Sequence, residues 1–449
     1  MKAVIMAGGK GTRLRPLTCD RPKPMVPIAN RPMMEHIVSL LARSGFQDVA
    51  VTMFYLPEAI QEYFGDGYDW QVNLSYFIEE VPLGTAGSVK NAAAFLNETF
   101  LVISGDALTD FDLQAALRFH REKGALATLV LTKVETPLEY GVVITDGDGR
   151  IRQFLEKPSW GEVFSDTVNT GIYVLEPEIF DDIPPGEEFD FSKNLFPLLL
   201  EKGAPLYGYV APGYWSDIGN LEQYRQAHYD LLAGKINLPL PGEEIEPGIR
   251  VEEGALLHPE AKLQAPVLIG QYCRVGPGAY VEGSVLGSNC VLMPTGSIKR
   301  SILWDNAYLG QRVEVRGAIL GDHVRLKDRA AIFEGAVVGD NCSIGQGATI
   351  RPNTKLWPGK SVDSGVTVAD NLVWGSRWSR SIFGSNGVSG LVNVELTAEL
   401  ASKLGAALGS TLPPKAQAVV GADNYRPSRM LKRALIAGLL SAGVDVFDL

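Results

Sequence analysis

Apolar and polar positions follow three different rhythms along this chain. Up to about Leu232, short apolar runs alternate with amphipathic stretches. Ala3-Val4-Ile5-Met6-Ala7 predicts a buried strand, and Met33 to Leu41 a helix stopped by Gly45. Val49-Ala50-Val51-Thr52 predicts a strand, Glu58 to Phe64 a short helix, Thr85 to Phe95 a helix and Phe100 to Ser104 a strand. Strand and helix in alternation imply right-handed βαβ units and a mainly parallel, Rossmann-like sheet. Ligands bind such sheets beyond the carboxyl ends of the strands, where Gly8 onward and Gly105-Asp106 fall.

From Val251 the period changes to six. Val251, Leu257, Leu263, Ile269, Val275 and Val281 are followed, after steps of five, by Leu286, Leu292 and Ile298 and by Leu303, Leu309 and Val315. Leu320, Leu326, Ile332, Val338, Ile344, Ile350, Leu356, Val362 and Val368 then run in unbroken sixes. Ser284-Val285-Leu286-Gly287 returns as Ser301-Ile302-Leu303-Trp304, Ala318-Ile319-Leu320-Gly321 and Ala336-Val337-Val338-Gly339. A chain that turns a corner every six residues, three corners to a coil, stacks each aliphatic side chain on the one below. The pattern resembles the left-handed parallel β-helix of the hexapeptide-repeat family. Cys273, Cys290, Ala307, Val324 and Cys342 keep the same register, so these cysteines are expected as core fillers rather than reactive thiols.

The divisions read from these rhythms are residues 1–232, a Pro- and Glu-rich linker at 233–250, the β-helix at 251–375 and a third segment at 376–449. That last segment predicts a helix at Leu396 to Leu408, a strand at Ala418 to Val420, a helix at Met430 to Ser441 and a strand beginning at Val444. It is expected to be the opening of a larger, incomplete α/β domain.

Composition narrows the function classes. The chain of 449 residues carries a formal net charge of −11, which disfavours general nucleic-acid binding. Residues 1–31 nonetheless hold seven basic side chains and one acidic one, a cationic patch suited to a small anionic ligand. No apolar run reaches the roughly 18–20 residues of a membrane span, and the N-terminal apolar stretch is too short for a signal peptide. Four cysteines without a Cys-x-x-Cys pair indicate neither a zinc site nor a disulfide framework, so the expected compartment is a reducing cytoplasm. His36, His120, His228, His258 and His323 match no metal or nucleophile spacing and are expected to be structural or surface residues.

The candidate chemistry sits at the N-terminus. Gly8-Gly9-Lys10-Gly11-Thr12-Arg13 follows the first strand, and glycines there let backbone N–H groups converge on a phosphate. The loop is neither a P-loop nor the dinucleotide fingerprint, since Leu14 stands where a third glycine belongs. Extended by Arg21-Pro22-Lys23-Pro24-Met25-Val26-Pro27, Pro82-Leu83-Gly84-Thr85-Ala86-Gly87, Ser104-Gly105-Asp106, Tyr140-Gly141-Val142, Glu156-Lys157-Pro158, Asn169-Thr170-Gly171 and Gly213-Tyr214-Trp215-Ser216-Asp217, the string closely resembles the sugar-1-phosphate nucleotidyltransferases over residues 1 to about 230. Within them it looks most like the mannose-1-phosphate guanylyltransferases.

That resemblance implies an enzyme that joins a nucleoside triphosphate and a hexose-1-phosphate with release of pyrophosphate, GDP-mannose being the first expectation. ADP-, UDP- or dTDP-glucose synthesis and a non-catalytic regulatory homologue remain open, whereas a solenoid acyltransferase is disfavoured. It implies Arg13 and Lys23 as catalytic cations, and Gly8, Gly9, Gly11, Thr12, Gly84 and Thr85 around the nucleotide. Gly141, Glu156, Lys157, Asn169 and Gly171 would meet the sugar phosphate. Asp106 and Asp217 would ligate Mg²⁺, whose hard shell takes carboxylate oxygens, phosphate and water. Lys10 occupies a variable position of the family and is a weaker phosphate contact. A homo-oligomer is expected, with the solenoid as its packing element. The third segment resembles the N-terminus of the phosphohexomutases through Gly384 to Gly390 and Gly421 to Ser428. Ser389 and Ala422 replace arginines of that pattern, and its phosphoserine and metal loops are missing, so no mutase turnover is expected.

Overall fold

The computed structural model describes residues 1–159, 165–375, 377–378, 382–383 and 387–449. In the first unit, strands β1 (Lys2–Met6), β2 (Asp48–Met53), β3 (Asn73–Ile78) and β4 (Phe100–Ser104) alternate with helices α1 (Met33–Arg43), α2 (Pro57–Phe64) and α3 (Gly84–Asn91). Residues 107–217 add the short strand β5 (Ala107–Thr109), helix α4 (Leu113–Lys123), and strands β6 (Ala127–Lys133), β7 (Gly141–Thr145), β8 (Ile151–Glu156) and β9 (Thr167–Leu175). Helix α5 (Phe196–Glu201), strands β10 (Leu206–Val210) and β11 (Trp215–Asp217) and helix α6 (Leu221–Leu232) complete the unit.

The main sheet runs β8-β7-β9-β4-β1-β2-β3, with β6 on β9 and β10 on β6. Its β4-β1-β2-β3 side is parallel, as the alternation predicts. Strand β9 enters antiparallel to β4, β6 and β7, which turns the other side into a mixed sheet. Val4, Ala50 and Val102 face one apolar layer, and Ala3, Ile5, Val49 and Val51 the other. Both faces of these strands are covered, which explains their unbroken apolar runs.

The solenoid consists of three parallel sheets that share its coils. The sixfold positions from Ile269 to Val368 are buried in one core with Cys273, Cys290, Ala307, Val324 and Cys342. Val251, Leu257 and Leu263 pack against that core from its open end. Part of the stretch expected as linker is ordered β-structure. Glu243–Glu246 pairs antiparallel with Ile249–Val251, and Ile249–Val251 joins the first coil in parallel with Val267–Ile269. Prolines and glycines there shape a hairpin that covers the first coil rather than a free connection.

One outer face of the solenoid is apolar. Leu268, Val285, Ile302, Ile319 and Val337 stand in register and are buried against Leu14, Leu17, Val26, Ile28 and Tyr224 of the first unit. At the far end, helices α7 (Ala398–Thr411) and α8 (Arg426–Ser441) pack around a small core of Val420, Leu439 and Val444. The parallel strands Gln417–Val420 and Asp445–Asp448 lie beside them. Gly384-Ser385-Asn386 lies outside the described residues. Among the described residues no helix is long and apolar enough to cross a membrane.

Leu309 is fully buried in the middle of the coil stack. Leu309→Ala is expected to destabilise the solenoid by about 2–5 kcal/mol, read as a lower midpoint in urea unfolding followed by circular dichroism.

Candidate active site

Strand β1 ends at Met6, and β4, its parallel neighbour, ends beside it at Ser104. Gly105 then passes so close to β1 that a Cβ there would stand 2.8 Å from the Met6 carbonyl oxygen. Its N–H donates to that oxygen at 2.9 Å. This close turn places Asp106 at the mouth of the Gly8 loop. Asp217 arrives from the far end of the unit by a local device: β11 pairs antiparallel with β5, and Asp217 stands opposite Ala107. Ile218 N–H donates to the Asp106 carbonyl oxygen at 3.2 Å.

Lys23 is delivered by a short 3₁₀ turn, Lys23–Met25, between Pro22 and Pro24. Its ammonium pairs with Asp106 and stands 3.7 Å from Asp217 Oδ1. Ser104 Oγ donates to the other oxygen of Asp106. Gly11 adopts a left-handed conformation, φ 61°, and a Cβ on it would come within 3.0 Å of Lys23 Cβ, so glycine is needed for the loop to lie against Lys23. Thr18 Oγ1 ties the loop down by donating to Gly11 O at 2.7 Å. Thr12 opens the turn that carries Arg13, and Gly9 has open space on its Cβ side. A Cβ on Gly219 would stand 3.2 Å from both Arg13 Nη2 and Asp217 Oδ2, which places this guanidinium beside the second carboxylate. Lys10 instead lies over the Phe54 ring, 5.5 Å from its centroid.

The two carboxyls titrate in opposite directions. Burial raises Asp106, but the Lys23 ammonium and the Ser104 hydroxyl outweigh it and hold the group below its ordinary value. Asp217 is pushed up to about 6 by burial and by the neighbouring Asp106 charge, against the pull of Lys23 and Arg13. A pair of carboxylates with too little cationic charge between them fits a divalent cation. Two hard ligands, with phosphate and water completing the shell, match the preference of Mg²⁺. Among the described residues no cluster of three or more His, Cys, Asp or Glu forms a fuller protein cage.

The expected sugar side lies on the adjoining strands. Glu156 stands opposite Gly141 in the β7–β8 ladder, and a Cβ on Gly141 would come within 2.9 Å of Glu156 Oε2. Burial raises the Glu156 carboxyl against the opposing charge of Lys157. Lys157 adopts φ 48° and donates its N–H to Tyr140 O at 3.1 Å. Asn169 Nδ2 donates to Tyr173 Oη at 2.9 Å, while its Oδ1 accepts from Gly171 N–H at 3.0 Å. Gly171 borders Ser104, where a Cβ would stand 3.3 Å from Ser104 Cβ.

Gly84 and Thr85 were expected around the nucleotide. A Cβ at Gly84 would stand 2.7 Å from Phe189 O, and one at Gly87 2.8 Å from Glu187 O. Thr85 Oγ1 donates to Asp190 Oδ2 at 3.0 Å and accepts from Phe191 N–H at 2.9 Å. These residues therefore fasten α3 to the segment 187–191.

Sequence reasoning gave no role to several groups that complete the arrangement. Tyr140 packs edge-on against Trp215, 5.3 Å between centroids, and accepts from Gln223 Nε2 at 3.1 Å. Gln223 Oε1 also accepts from Gly219 N–H at 2.9 Å, which links the sugar-side strands to the Asp217 turn. Tyr140 and Trp215 both sit inside the motifs quoted above, and their aromatic character within glycine-containing motifs was the available signal. Glu79 is a buried carboxylate whose Oε2 accepts from Leu83 N–H at 3.0 Å and whose other oxygen accepts from Ser88 Oγ. A Cβ on Gly8 would stand 3.7 Å from Glu79 Oε1. The buried histidines serve the framework: His36 bonds Ile28 O, His120 bridges Thr128 and Glu176, and His228 bonds Tyr224 O and Ala29 N.

Similarity to known proteins gives the family. The nucleotidyl transferase family matches residues 2–234. This chain belongs to the nucleotidyl transferase family. The LbH domain of the EIF2B epsilon subunit matches residues 248–350, and the α/β/α domain I of phosphoglucomutase/phosphomannomutase matches 380–449. A UTP–glucose-1-phosphate uridylyltransferase from Synechocystis sp. is 39% identical over 326 residues, covering 64% of this chain and 82% of that protein. A mannose-1-phosphate guanylyltransferase from Mycobacterium tuberculosis is 39% identical over 290 residues, covering 63% and 79%. A mannose-1-phosphate guanyltransferase from Pichia angusta is 39% identical over 233 residues, covering 50% and 62%. The chain is thus a sugar-phosphate nucleotidyltransferase with a left-handed β-helix and a mutase-like third segment.

The raised Asp217 group carries a linkage consequence. Its folded value of about 6 lies above the ordinary carboxyl value of 3.8, so the folded state holds a proton more tightly and loses stability as pH rises from about 4 to 6. Asp217→Asn is expected to raise the thermal midpoint in metal-free buffer at pH 7–8, with the gain shrinking toward pH 4. Calorimetry across that range checks it.

Proposed function

We propose that this enzyme makes GDP-mannose from GTP and mannose-1-phosphate. The observation that carries the reaction is the meeting of Arg13, Lys23, Asp106 and Asp217 beyond the strand ends. A phosphate oxygen of the hexose-1-phosphate attacks the α-phosphorus of the triphosphate. The new O–P bond forms as the bond to the β-phosphate oxygen breaks, and pyrophosphate leaves. Two polyanions must approach in line, and Arg13 and Lys23 supply the positive charge that this approach and the developing charge require. Backbone N–H groups of Gly8, Gly9, Gly11 and Thr12 cradle the phosphates. Glu156, Lys157, Asn169, Gly141 and Gly171 orient the hexose phosphate. Asp106 and Asp217 would hold Mg²⁺, which neutralises phosphate charge when bound.

The guanine assignment is supported by Glu79. Guanine offers two adjacent donors, N1–H and the exocyclic amino group, which match a carboxylate that has acceptor capacity left. Uracil and thymine offer one imide N–H between two carbonyls, which a carboxylate disfavours. The uridylyl relative is as similar as the guanylyl ones, so identity alone does not choose between bases.

With Mg²⁺ and mannose-1-phosphate, pyrophosphate release is expected to be fastest with GTP among GTP, ATP, UTP and dTTP. Faster release with UTP and glucose-1-phosphate would overturn the guanylyl reading alone; none with any pair would overturn the reaction. Lys23→Ala and Asp106→Asn are each expected to lower kcat by about 10²–10³. Glu79→Gln is expected to reduce the preference for GTP over UTP at least tenfold in kcat/KM.

A further inference from the structure

The segment that carries Lys23 is held at both ends by residues of the solenoid. On one side the Arg21 guanidinium, two residues before Lys23, pairs with Asp322 and stacks on Trp304, 4.6 Å from its ring. On the other, Asn30 Nδ2 donates to Glu252 Oε1 at 3.0 Å and to Leu286 O at 2.9 Å. Between them runs a buried relay: Trp304 Nε1–H donates to Tyr224 Oη at 2.9 Å, and Tyr224 donates to Pro27 O at 2.7 Å. Trp304 and Tyr224 are buried, so each of these bonds satisfies a group that water does not reach.

Asp322 is itself fixed by the coil ladder. Its Oδ1 accepts from Asp305 N–H at 3.0 Å, and its own N–H donates to Asp340 Oδ1 at 2.8 Å. The carboxylates of Asp305, Asp322 and Asp340 thus stand on successive coils, and Arg21 is the cation brought against that column from the catalytic unit. Beside the contact lies a cavity of about 420 Å³, lined among others by Arg21, Met25, Pro27, Trp304 and Asp322. Packing therefore leaves this side of the loop partly unsupported, and polar contacts hold it.

The geometry points to Arg21, Trp304 and Asp322 as positioning residues through which the solenoid sets the place of Lys23. They touch no substrate. They hold the Arg21–Asn30 segment so that the ammonium of Lys23 lies between Asp106 and Asp217 before the triphosphate arrives. This rests on the role of Lys23 proposed above. A solenoid that served assembly alone would leave turnover indifferent to a conservative change at Asp322. Asp322→Asn is a suitable probe, because the amide oxygen can still accept from Asp305 N–H while the carboxylate charge that pairs with Arg21 is lost.

The test uses the full chain, GTP, mannose-1-phosphate and Mg²⁺, with kcat and both KM values taken from pyrophosphate release. Asp322→Asn is expected to lower kcat about tenfold, with KM for GTP and for mannose-1-phosphate within twofold and the thermal midpoint within about 2 °C. Trp304→Phe, which keeps a ring under Arg21 but removes the N–H to Tyr224, is expected to lower kcat about threefold. In a double-mutant cycle, Arg21→Ala with Asp322→Asn should be no slower than Arg21→Ala alone, since both remove one contact. Unchanged kcat in both solenoid variants, additive losses in the cycle, or losses that follow the thermal midpoint would overturn the positioning role. Lys23→Ala run alongside separates the two claims. If it keeps full turnover, the reading of the cleft fails. If it loses turnover while the solenoid variants keep theirs, only the positioning role fails.

Discussion

One ammonium between two carboxylates organises the catalytic end of the sheet. Lys23, Asp106 and Asp217 come from three distant parts of the chain, and each is placed by backbone rather than by its own flexibility. The Pro-flanked turn sets Lys23, the tight passage at Gly105 sets Asp106, and the β5–β11 pairing sets Asp217. Bringing like charges together costs free energy, and the ammonium of Lys23 compensates Asp106 well, while Asp217, beside Arg13, is compensated less completely. The opposite displacement of the two carboxyl groups from their ordinary values is that imbalance made visible. A site in this condition is disposed toward further positive charge, which a divalent cation brings.

Rigid placement of this kind needs support from outside the sheet. The catalytic unit finds it on the solenoid, where Leu268, Val285, Ile302, Ile319 and Val337 form an outward apolar column. Equivalent outward positions on a second sheet read Arg274, Val291, Tyr308, Arg325 and Ser343, as expected of a face left to water or to weaker contacts. The docking face covers Leu14, Leu17, Val26 and Ile28, residues that flank the glycine loop and the Lys23 turn. Burial of these side chains fixes the two cationic segments to one rigid surface, so core packing and site geometry are the same set of contacts seen from two sides.

Much of this was legible in the sequence, for identifiable reasons. The coil register could be read because a sixfold period is produced by neither helix nor flat strand, and every inward position from Ile269 to Val368 is buried. The parallel half of the sheet followed from alternation, because βαβ units are local. Strand β9 was harder: it pairs with β4, β6 and β7, its ladder to β6 shifts register between Asn169 and Ile172, and antiparallel insertion leaves no periodic trace. The convergence of Asp106 with Asp217 was inferred from family resemblance alone. The pairing that achieves it is two strands of three residues, too short to announce themselves. The outward apolar column was present in the repeat, as the residue before the inward aliphatic side chain in one strand of five successive coils, from Leu268 to Val337. It went unread because periodicity identifies what faces inward and says nothing of what a second unit covers.

Glycine shows how one residue type carries two meanings that only coordinates separate. Gly11 is required by its left-handed backbone and by the approach of Lys23. Gly84 and Gly87 are required by the backbone of Phe189 and Glu187, so their missing side chains are filled by the protein itself. That packing also has a structural consequence. It fastens α3 to a neighbouring segment, and α3 carries Ser88, which together with Leu83 N–H fixes the Glu79 carboxylate beside Gly8. A carboxylate tied down in this way cannot swing; it offers one fixed pattern of acceptors. The glycines of this string thus act at one remove, by fixing the orientation of a buried acid beside Gly8.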